Sequence, residues 1–171
     1  AAWMSLACTT QLGVRRAELQ LGETVAVVGL GLLGQLVVQY LRVAGAGRII
    51  CIDTSQERLA LAQAHGATDL IRAGAGEARA QIAELTGDRM LDVVFDVTGH
   101  HSVLAPASTL LRPLGRLVLL GDSPSPSRQS LGPRIVADSI AILGVHASAA
   151  PAVATARDPW TLEAMTELFF L

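Results

Sequence analysis

The fold of this chain is decided by residues 24–34, which read TVAVVGLGLLG. An apolar run rich in β-branched residues enters a G-x-G-x-x-G turn, and the turn opens into a segment compatible with a helix. A second apolar run, residues 48–52, ends on Asp53, nineteen residues after the last glycine of the turn. A glycine turn alone is weak evidence in a chain with 16 glycines. Framed by strand, helix, strand and carboxylate, it predicts a dinucleotide-binding fingerprint rather than an ordinary α/β turn.

Each part of the fingerprint has a physical task. Gly29 permits a tight turn at positive φ, Gly31 leaves space for a pyrophosphate to approach the backbone, and Gly34 lets the helix pack close to the sheet. The helix beginning near Leu32 presents unpaired N–H groups and a partial positive charge of about half a unit to that anion. Asp53 is predicted to accept hydrogen bonds from the adenosine ribose hydroxyls and to repel a 2′-phosphate. The pattern therefore predicts NAD rather than NADP.

Length, composition and charge limit the classes of function. The 171 residues suffice for one domain with a core, and 51% hydrophobic against 16% charged residues fits a sheet covered on both faces. A net charge of −2 provides no basic footprint for nucleic acid. No apolar run approaches the roughly 18 residues that span a bilayer, and no signal peptide opens the chain. We therefore expect a cytoplasmic protein with neither a nucleic-acid nor a membrane partner.

All 13 basic residues are arginines, and this excludes several chemistries. Without lysine the chain has no P-loop, no Schiff-base nucleophile and no Tyr-x-x-x-Lys pair of the short-chain dehydrogenases. The two cysteines, Cys8 and Cys51, form no C-x-x-C motif, and Cys51 lies within a predicted buried strand. A disulfide between them is not expected in a reducing compartment.

Strands and helices alternate along the sequence, which predicts an α/β Rossmann fold: a doubly wound, six-stranded, mostly parallel sheet with helices on both faces. The predicted strands are Thr24–Val28, Arg48–Ile52, Asp69–Ile71, Leu91–Asp96, Gly115–Leu120 and Ser139–His146. The predicted helices are Ala1–Glu18, Leu32–Ala44, Gln56–His65, Ala75–Thr86, Ser102–Leu111 and Trp160–Leu171. For the last helix, Asp158 is the predicted N-cap, followed by Pro159.

Further motifs accompany the glycine turn and Asp53. They are Val14-Arg15-Arg16-Ala17 before the first strand, Leu21-Gly22-Glu23-Thr24-Val25 leading into it, Arg58-Leu59, and the turn His65-Gly66-Ala67-Thr68. With these motifs nearly the whole chain resembles the coenzyme domain of the medium-chain dehydrogenases/reductases, the superfamily of alcohol and sorbitol dehydrogenases. The resemblance implies that NAD(H) binds across the carboxyl ends of the strands and exchanges a hydride with a carbon that bears a hydroxyl or carbonyl group.

The resemblance also implies the cofactor contacts. Arg58 would contact the adenosine ribose, Val97–Gly99 would pass beneath the cofactor, Leu120–Gly121 would approach the nicotinamide, and the backbones of Val145 and Ala147 would hold its carboxamide. The full set of implied cofactor-binding residues is Gly29, Gly31, Leu32, Leu33, Gly34, Asp53, Thr54, Arg58, Val97, Thr98, Gly99, Leu120, Gly121, Val145 and Ala147. No catalytic residue is expected here, because most of the family's substrate site lies in a separate domain.

The chain is accordingly predicted to be a single-domain fragment. Residues 1–20 form a leading helix, residues 22–146 the core of an NAD-binding Rossmann domain, and residues 147–171 the start of a connection to a missing catalytic domain of the same chain. The sequence begins without methionine and ends abruptly on an apolar stretch, so both ends look cut. Such a fragment should bind cofactor and turn nothing over.

Zinc-dependent members of the family carry a Cys or Glu ligand in the helix before the first strand. The corresponding positions, 24 and 25 residues ahead of Gly29, hold Ser5 and Met4. Neither is a good zinc ligand, and the nearby Cys8 has no companion ligand. The resemblance therefore implies a zinc-independent member without a metal site in this chain.

Other interpretations remain open. An S-adenosylmethionine-dependent methyltransferase also has a glycine turn and an acid after its second strand, although the spacing to Asp53 favours NAD. A non-catalytic dinucleotide-sensing module is the other alternative, but it should have capped termini. His100 and His101 follow the fourth strand near the expected cleft and are either ligand contacts or solvated turn residues. The apolar strand 139–146, at the expected sheet edge, predicts a homodimer by strand addition.

Overall fold

The computed structural model describes residues 3–170. They form a six-stranded, all-parallel sheet with the strand order β3-β2-β1-β4-β5-β6. The strands are β1 Thr24–Val28, β2 Arg48–Ile52, β3 Asp69–Ile71, β4 Leu91–Asp96, β5 Leu111–Leu119 and β6 Ala141–Gly144. The helices are α1 Met4–Arg16, α2 Leu32–Val43, α3 Gln56–Ala64, α4 Arg79–Thr86, α5 Leu104–Ser108 and α6 Leu162–Phe169. The predicted doubly wound Rossmann fold is confirmed.

Helices cover both faces of the sheet because its central strands are apolar on both sides. In β1, Val25 and Val27 belong to a core with α1, α2, α3 and α6, whereas Ala26 and Val28 belong to a second core with α4 and α5. Successive side chains of a strand point to opposite faces, so one continuous apolar run supplies both cores. Phe95 of β4 is fully buried in the first core.

The strand order reverses between β1 and β4. From β1 the chain winds outward through β2 and β3, then crosses back to β4, which also pairs with β1, and winds outward through β5 and β6. The connections that leave β1 and β4 therefore diverge at the carboxyl edge of the sheet. In folds of this type a crevice opens at that point, outside the strand ends.

Helices α4 and α5 are shorter than predicted. The helix predicted at Ala75–Thr86 begins at Arg79, because Gly76 disfavours helix and residues 75–77 form a turn. The helix predicted at Ser102–Leu111 is reduced to Leu104–Ser108. Its end is drawn into the sheet, since the Leu91 N–H donates to the Leu110 carbonyl at 3.1 Å.

Strand β5 begins earlier than its predicted start at Gly115. Leu111 already pairs with Leu91, and the register then shifts before Arg116 pairs with Val93. The residues between them form an irregular bulge in which Leu114 adopts a φ of 63°. The strand also stops at Leu119, so the predicted end at Leu120 is one residue too long.

The predicted ends of several other elements also differ. Helix α1 stops at Arg16 instead of Glu18, which has a φ of 49°, while Ala44 and His65 are C-caps rather than the last residues of their helices. The strand predicted at Ser139–His146 is only Ala141–Gly144, flanked by Ser139 at a φ of 51° and by a 3₁₀ turn at Ala147–Ala149. The predicted positions Ala1, Ala2 and Leu171 lie outside the described residues.

Helix α6 is capped by Thr161, so the prediction of Asp158 as N-cap is wrong. The Thr161 Oγ1 accepts a hydrogen bond from the Ala164 N–H at 3.2 Å, and the helix starts at Leu162. Asp158 instead accepts from the Trp160 N–H at 3.3 Å within the preceding loop.

Removal of the Thr161 cap should destabilise the protein measurably. We expect Thr161→Ala to lower the free energy of unfolding by about 1 kcal/mol, because the substitution leaves one N–H of the first helical turn without its acceptor. Asp158→Ala, which leaves the cap intact, should stay within about 0.5 kcal/mol of the unchanged protein. Urea unfolding followed by circular dichroism measures both. Equal effects of the two substitutions would contradict the assignment of the cap.

Two further observations concern membrane-spanning helices and the chemistry of the cysteines. No helix within residues 3–170 is long and apolar enough to cross a membrane. Cys8 and Cys51 are both buried free thiols, and burial raises the pKa of the Cys51 thiol to about 12. A thiol with that pKa stays protonated at neutral pH, so Cys51 acts as a core residue.

Candidate functional site

A cavity of about 670 Å³ opens at the carboxyl edge of the sheet, where the strand order reverses. Its walls come from the residues that follow β1, β2, β3 and β4. The predicted site residues that line it are Gly29, Gly31, Asp53, Thr54, Arg58, Val97 and Thr98. A cleft of this size, formed between diverging connections, is where a doubly wound sheet binds its ligands.

The glycine turn after β1 forms one wall of the cleft. Gly29 has a φ of +88°, and a Cβ on Gly34 would lie 2.1 Å from the Gly29 carbonyl oxygen, so the turn and α2 pack backbone against backbone. Nothing lies within 4 Å of the position that a Cβ on Gly31 would take. Gly29 and Gly34 therefore have the predicted tasks of turn and close packing, and Gly31 borders the open space that its predicted task requires.

Helix α2 begins at the open space above Gly31. Gly31 is its N-cap and has no side chain to pair with the first N–H groups, and the first turn holds no acidic residue. The first N–H groups of a helix lack partners within the helix and carry a partial positive charge. Leu32 and Leu33 belong to this turn, where an anion would meet their backbone rather than their side chains.

Asp53 follows β2 and lies beside the glycine turn, on the adjoining wall of the cleft. Its side chain is almost fully buried; Oδ2 accepts from the Leu30 N–H at 2.7 Å, and Oδ1 accepts from the Ser55 N–H at 2.8 Å. The Arg58 guanidinium, 59% exposed, lies 3.8 Å from Oδ2. A carboxylate oxygen accepts about two hydrogen bonds, so each oxygen of Asp53 keeps one acceptor position. Two vicinal hydroxyl groups match that arrangement.

The turn after β4 is shaped by the buried carboxylate of Asp96. Its Oδ1 accepts from the Thr98 N–H at 3.0 Å and from the Thr98 hydroxyl at 2.7 Å. Burial raises the pKa of the Asp96 carboxyl, while the two hydrogen bonds from Thr98 oppose that rise. The carboxylate holds the turn, and Thr98 lies directly against Gly29, where an added Cβ would be 2.7 Å from the Thr98 Cγ2.

His100 lines the cleft, whereas His101 is placed beside it. The two rings stack with centroids 4.4 Å apart, and the His100 Nδ1 lies 2.8 Å from the Ser102 hydroxyl oxygen. Partial desolvation, Arg128 and His100 together lower the pKa of the His101 imidazole. A ring at the His100 position can contact a flat ligand group in the cleft.

The remaining predicted site residues lie along the same edge but outside this cavity. Leu120 and Gly121 both donate their N–H groups to the Asp96 carbonyl, and a Cβ on Gly121 would lie 2.1 Å from the Gly99 nitrogen. Val145 follows β6, and Ala147 borders a second cavity of about 600 Å³. The structure therefore brings together the residues that were predicted to bind the adenosine half of the cofactor. The residues predicted for the nicotinamide half lie apart from them, along the strand ends.

Sequence reasoning missed one wall of the cleft. Ala73, Gly74 and Ala75, which follow β3, line the cavity together with Val103 of the turn before α5. Their small or apolar side chains carry no chemical signature. Their position was the available signal, because the carboxyl ends of parallel strands meet at one edge of a sheet.

Known proteins provide an independent comparison. A family model described as zinc-binding dehydrogenase matches residues 33–163. Sorbitol dehydrogenase from Bacillus subtilis is 34% identical over 131 residues, which are 76% of this chain and 37% of that protein. NADP-dependent isopropanol dehydrogenase from Thermoanaerobacter brockii is 32% identical over 105 residues, 61% of this chain and 30% of that protein.

Solved structures resemble the chain over almost its whole length. The crystal structure of 2R,3R-butanediol dehydrogenase from Bacillus subtilis matches 98% of the chain with a TM-score of 0.78 and 26% identity. The alcohol dehydrogenase of Aeropyrum pernix matches 98% with a TM-score of 0.79 and 26% identity. The chain covers 45% of each of these structures and 37% of the Bacillus subtilis sorbitol dehydrogenase, so it spans less than half of such proteins.

The family description names zinc, and the residues present here do not fit a zinc centre. Within residues 3–170, no group of three or more His, Cys, Asp or Glu side chains is arranged to hold a metal ion. Met4 and Ser5 occupy the first turn of α1, and the Cys8 sulfur lies 3.6 Å from the Thr166 hydroxyl oxygen of α6. Thioether, hydroxyl and a buried single thiol do not make the ligand set that zinc prefers.

Proposed function

Because the chain belongs to the zinc-binding dehydrogenase family, we propose that it is a coenzyme domain. It binds NAD(H) in the cleft at the carboxyl ends of β1 and β4. The observation that carries the proposal is the Asp53 carboxylate, which two backbone N–H groups hold in place beside the open space over Gly31. A dinucleotide offers both matching groups, namely a pair of ribose hydroxyls and a pyrophosphate.

The residues of this chain bind and orient the cofactor. The N-terminal turn of α2 receives the pyrophosphate, and Asp53 accepts from the adenosine ribose hydroxyls. The adenine lies in the space bounded by Ala73–Ala75, His100 and Val103. When bound, the cofactor supplies hydride transfer between its nicotinamide and a carbon that bears a hydroxyl or carbonyl group. Leu120, Gly121, Val145 and Ala147 support the nicotinamide half from the ends of β5 and β6.

The Asp53 carboxylate favours NAD over NADP. A 2′-phosphate would bring a second anion to a nearly buried carboxylate, and at a few ångströms that repulsion is worth several kcal/mol at the dielectric constant of a protein surface. Arg58 offsets only part of it, because its guanidinium is mostly exposed and solvent screens the pair. One relative is named for its NADP dependence, so the family includes members that use NADP.

The rest of the proposal concerns the whole protein. The substrate site and the catalytic residues belong to sequence outside this chain, and the chain alone turns nothing over. Met4 and Ser5 at the expected ligand positions support a zinc-independent enzyme. Strand β6 is the last strand of the sheet on its side, which supports a homodimer formed by addition of a second β6 at this edge.

Cofactor titration tests the proposal. We expect NADH to bind about tenfold or more tightly than NADPH, because of the charge on Asp53, and S-adenosylmethionine to show no saturable binding. Calorimetry with the three ligands at one ionic strength measures the difference. Addition of simple alcohols and NAD should produce no NADH. Tight binding of S-adenosylmethionine without any binding of NADH would contradict the proposal and indicate a methyltransferase.

A further inference from the structure

Gln35 is a buried polar residue in the first turn of α2, next to the apolar residues that pack this helix on the sheet. Its side-chain Nε2 donates to the Leu30 carbonyl at 3.1 Å and to the Arg58 carbonyl at 2.9 Å. Its Oε1 lies 3.2 Å from the His65 Nδ1. Only 6% of the residue is exposed. A polar group so deeply buried must be hydrogen-bonded, and here the amide uses both of its ends.

The orientation of this amide follows from its partners. Two backbone carbonyl oxygens can only accept, so the NH₂ group must face them and Oε1 must face His65. The His65 ring therefore carries its hydrogen on Nδ1 and donates it to Oε1. One side chain thus joins three places: the glycine turn, the first turn of α3 and the C-cap of α3.

The two residues whose carbonyls Gln35 holds are also the two that approach one oxygen of Asp53. The Leu30 N–H donates to Asp53 Oδ2, and the Arg58 guanidinium lies 3.8 Å from the same oxygen. We infer that Gln35 is a positioning residue of the cofactor cleft: it ties the glycine turn to α3 and so fixes the surroundings of Asp53. This inference rests on the proposed function, since Asp53 is the ribose-binding group there.

An exposed glutamine one helical turn away serves as a control of the same residue type. Gln39 donates its Nε2 to the backbone carbonyl of Gln35 at 3.1 Å, in the same helix, and touches neither the glycine turn nor α3 in this way. If Gln35 only helps α2 to pack, its substitution should lower stability and leave ligand affinity in the folded protein unchanged, as substitution of the exposed Gln39 should. If Gln35 positions the cleft, only its substitution should change ligand affinity.

The first experiment compares affinities in folded protein. We expect Gln35→Leu to weaken binding of NADH and of ADP-ribose by the same factor, about tenfold, because two buried carbonyls lose their donors and the turn is no longer tied to α3. Gln39→Leu should stay within about twofold of the unchanged protein. Equal losses in both variants, or no loss in Gln35→Leu, would overturn the inference.

A second variant gives a signature that simple packing would not give. Gln35→Glu keeps the shape of the side chain, but an ionised carboxylate would face two carbonyl oxygens without a hydrogen. Burial raises the pKa of such a carboxyl, the neighbouring His65 imidazole opposes that rise, and the protonated form can donate to one of the carbonyls. Affinity for ADP-ribose in Gln35→Glu should therefore recover as pH falls from 8 to about 5.5, relative to the unchanged protein. This variant also serves if Gln35→Leu does not fold, and a flat profile of that ratio would contradict the inference.

A measurement without cofactor separates the two proposals. Amide hydrogen exchange in the unliganded protein should speed up at residues 30–34 and 56–59 in Gln35→Leu, and not in Gln39→Leu, because the tie between these segments is lost. Faster exchange in a protein that binds no NADH would leave the tie standing and remove the proposed function. Unchanged exchange together with normal NADH binding would overturn the inference about Gln35 and leave the proposed function standing.

Discussion

Gly34→Ala is expected to lower the free energy of unfolding by about 3 kcal/mol and to abolish NADH binding. The added methyl would lie 2.1 Å from the Gly29 carbonyl oxygen and 3.0 Å from its carbon. Both are backbone atoms, so the clash is relieved only if α2 moves away from the turn, and overpacking of this kind costs about 1–3 kcal/mol or more. The better helix propensity of alanine, about 1 kcal/mol, offsets only part of that loss. Urea unfolding and NADH fluorescence titration measure the two effects.

Gly31→Ala is the matched control for this prediction. A methyl at Gly31 would meet no atom within 4 Å and the residue has an ordinary negative φ, so stability should change by less than about 0.5 kcal/mol. The same methyl would occupy the space assigned to the pyrophosphate, and NADH binding should be lost. Two neighbouring glycines should thus separate folding from binding. An unchanged stability in Gly34→Ala would show that α2 does not pack on the turn as described.

Asp53→Asn is expected to weaken NADH binding about 30- to 100-fold. A hydrogen bond to a charged group contributes about 1.5–3 kcal/mol, and the substitution removes the charge and places a donor where both ribose hydroxyls need acceptors. NADPH binding should weaken less or improve, because the repulsion of the 2′-phosphate disappears. Parallel titrations with the two reduced cofactors give the ratio directly.

Asp92→Asn provides the control at the opposite edge of the sheet. Asp92 also accepts a backbone N–H, that of Thr24 at 2.8 Å, and pairs with Arg112 at 2.6 Å. Its substitution should lower stability, because the Thr24 N–H and Arg112 lose their ionised acceptor, without any change in NADH affinity. If Asp53→Asn left NADH affinity unchanged, or if Asp92→Asn lowered it equally, the ribose assignment would fail.

The elements that the sequence predicted well are those whose pattern is local. The strand Thr24–Val28, the turn and the helix from Leu32 were recognisable because an unbroken apolar run, spaced glycines and an acid all lie within thirty residues. Asp53 was recognisable for the same reason. Its position at the end of a buried strand is indicated by the apolar run of residues 48–52 directly before it.

The elements that were mispredicted depend on contacts between distant residues. The start of β5 at Leu111 follows from pairing with Leu91, and the short α5 follows from the same pairing. The Thr161 cap was overlooked because Asp158-Pro159 offered an equally good local signal. Gln35 was not singled out because its partners, Leu30, Arg58 and His65, converge only in the folded chain.

The pairing of β1 with β4 also influences the order in which the parts of the chain fold. Val25 pairs with Val93, 68 positions later, whereas β1 and β2 join through a single helical crossover. A pairing that closes a long loop gains its contacts only after the entropy of closure has been lost, so it forms late unless other contacts precede it. The β1–β2–β3 half and the β4–β5–β6 half are therefore the natural early units. We therefore expect the cleft, which is built where the two halves join, to form late in folding.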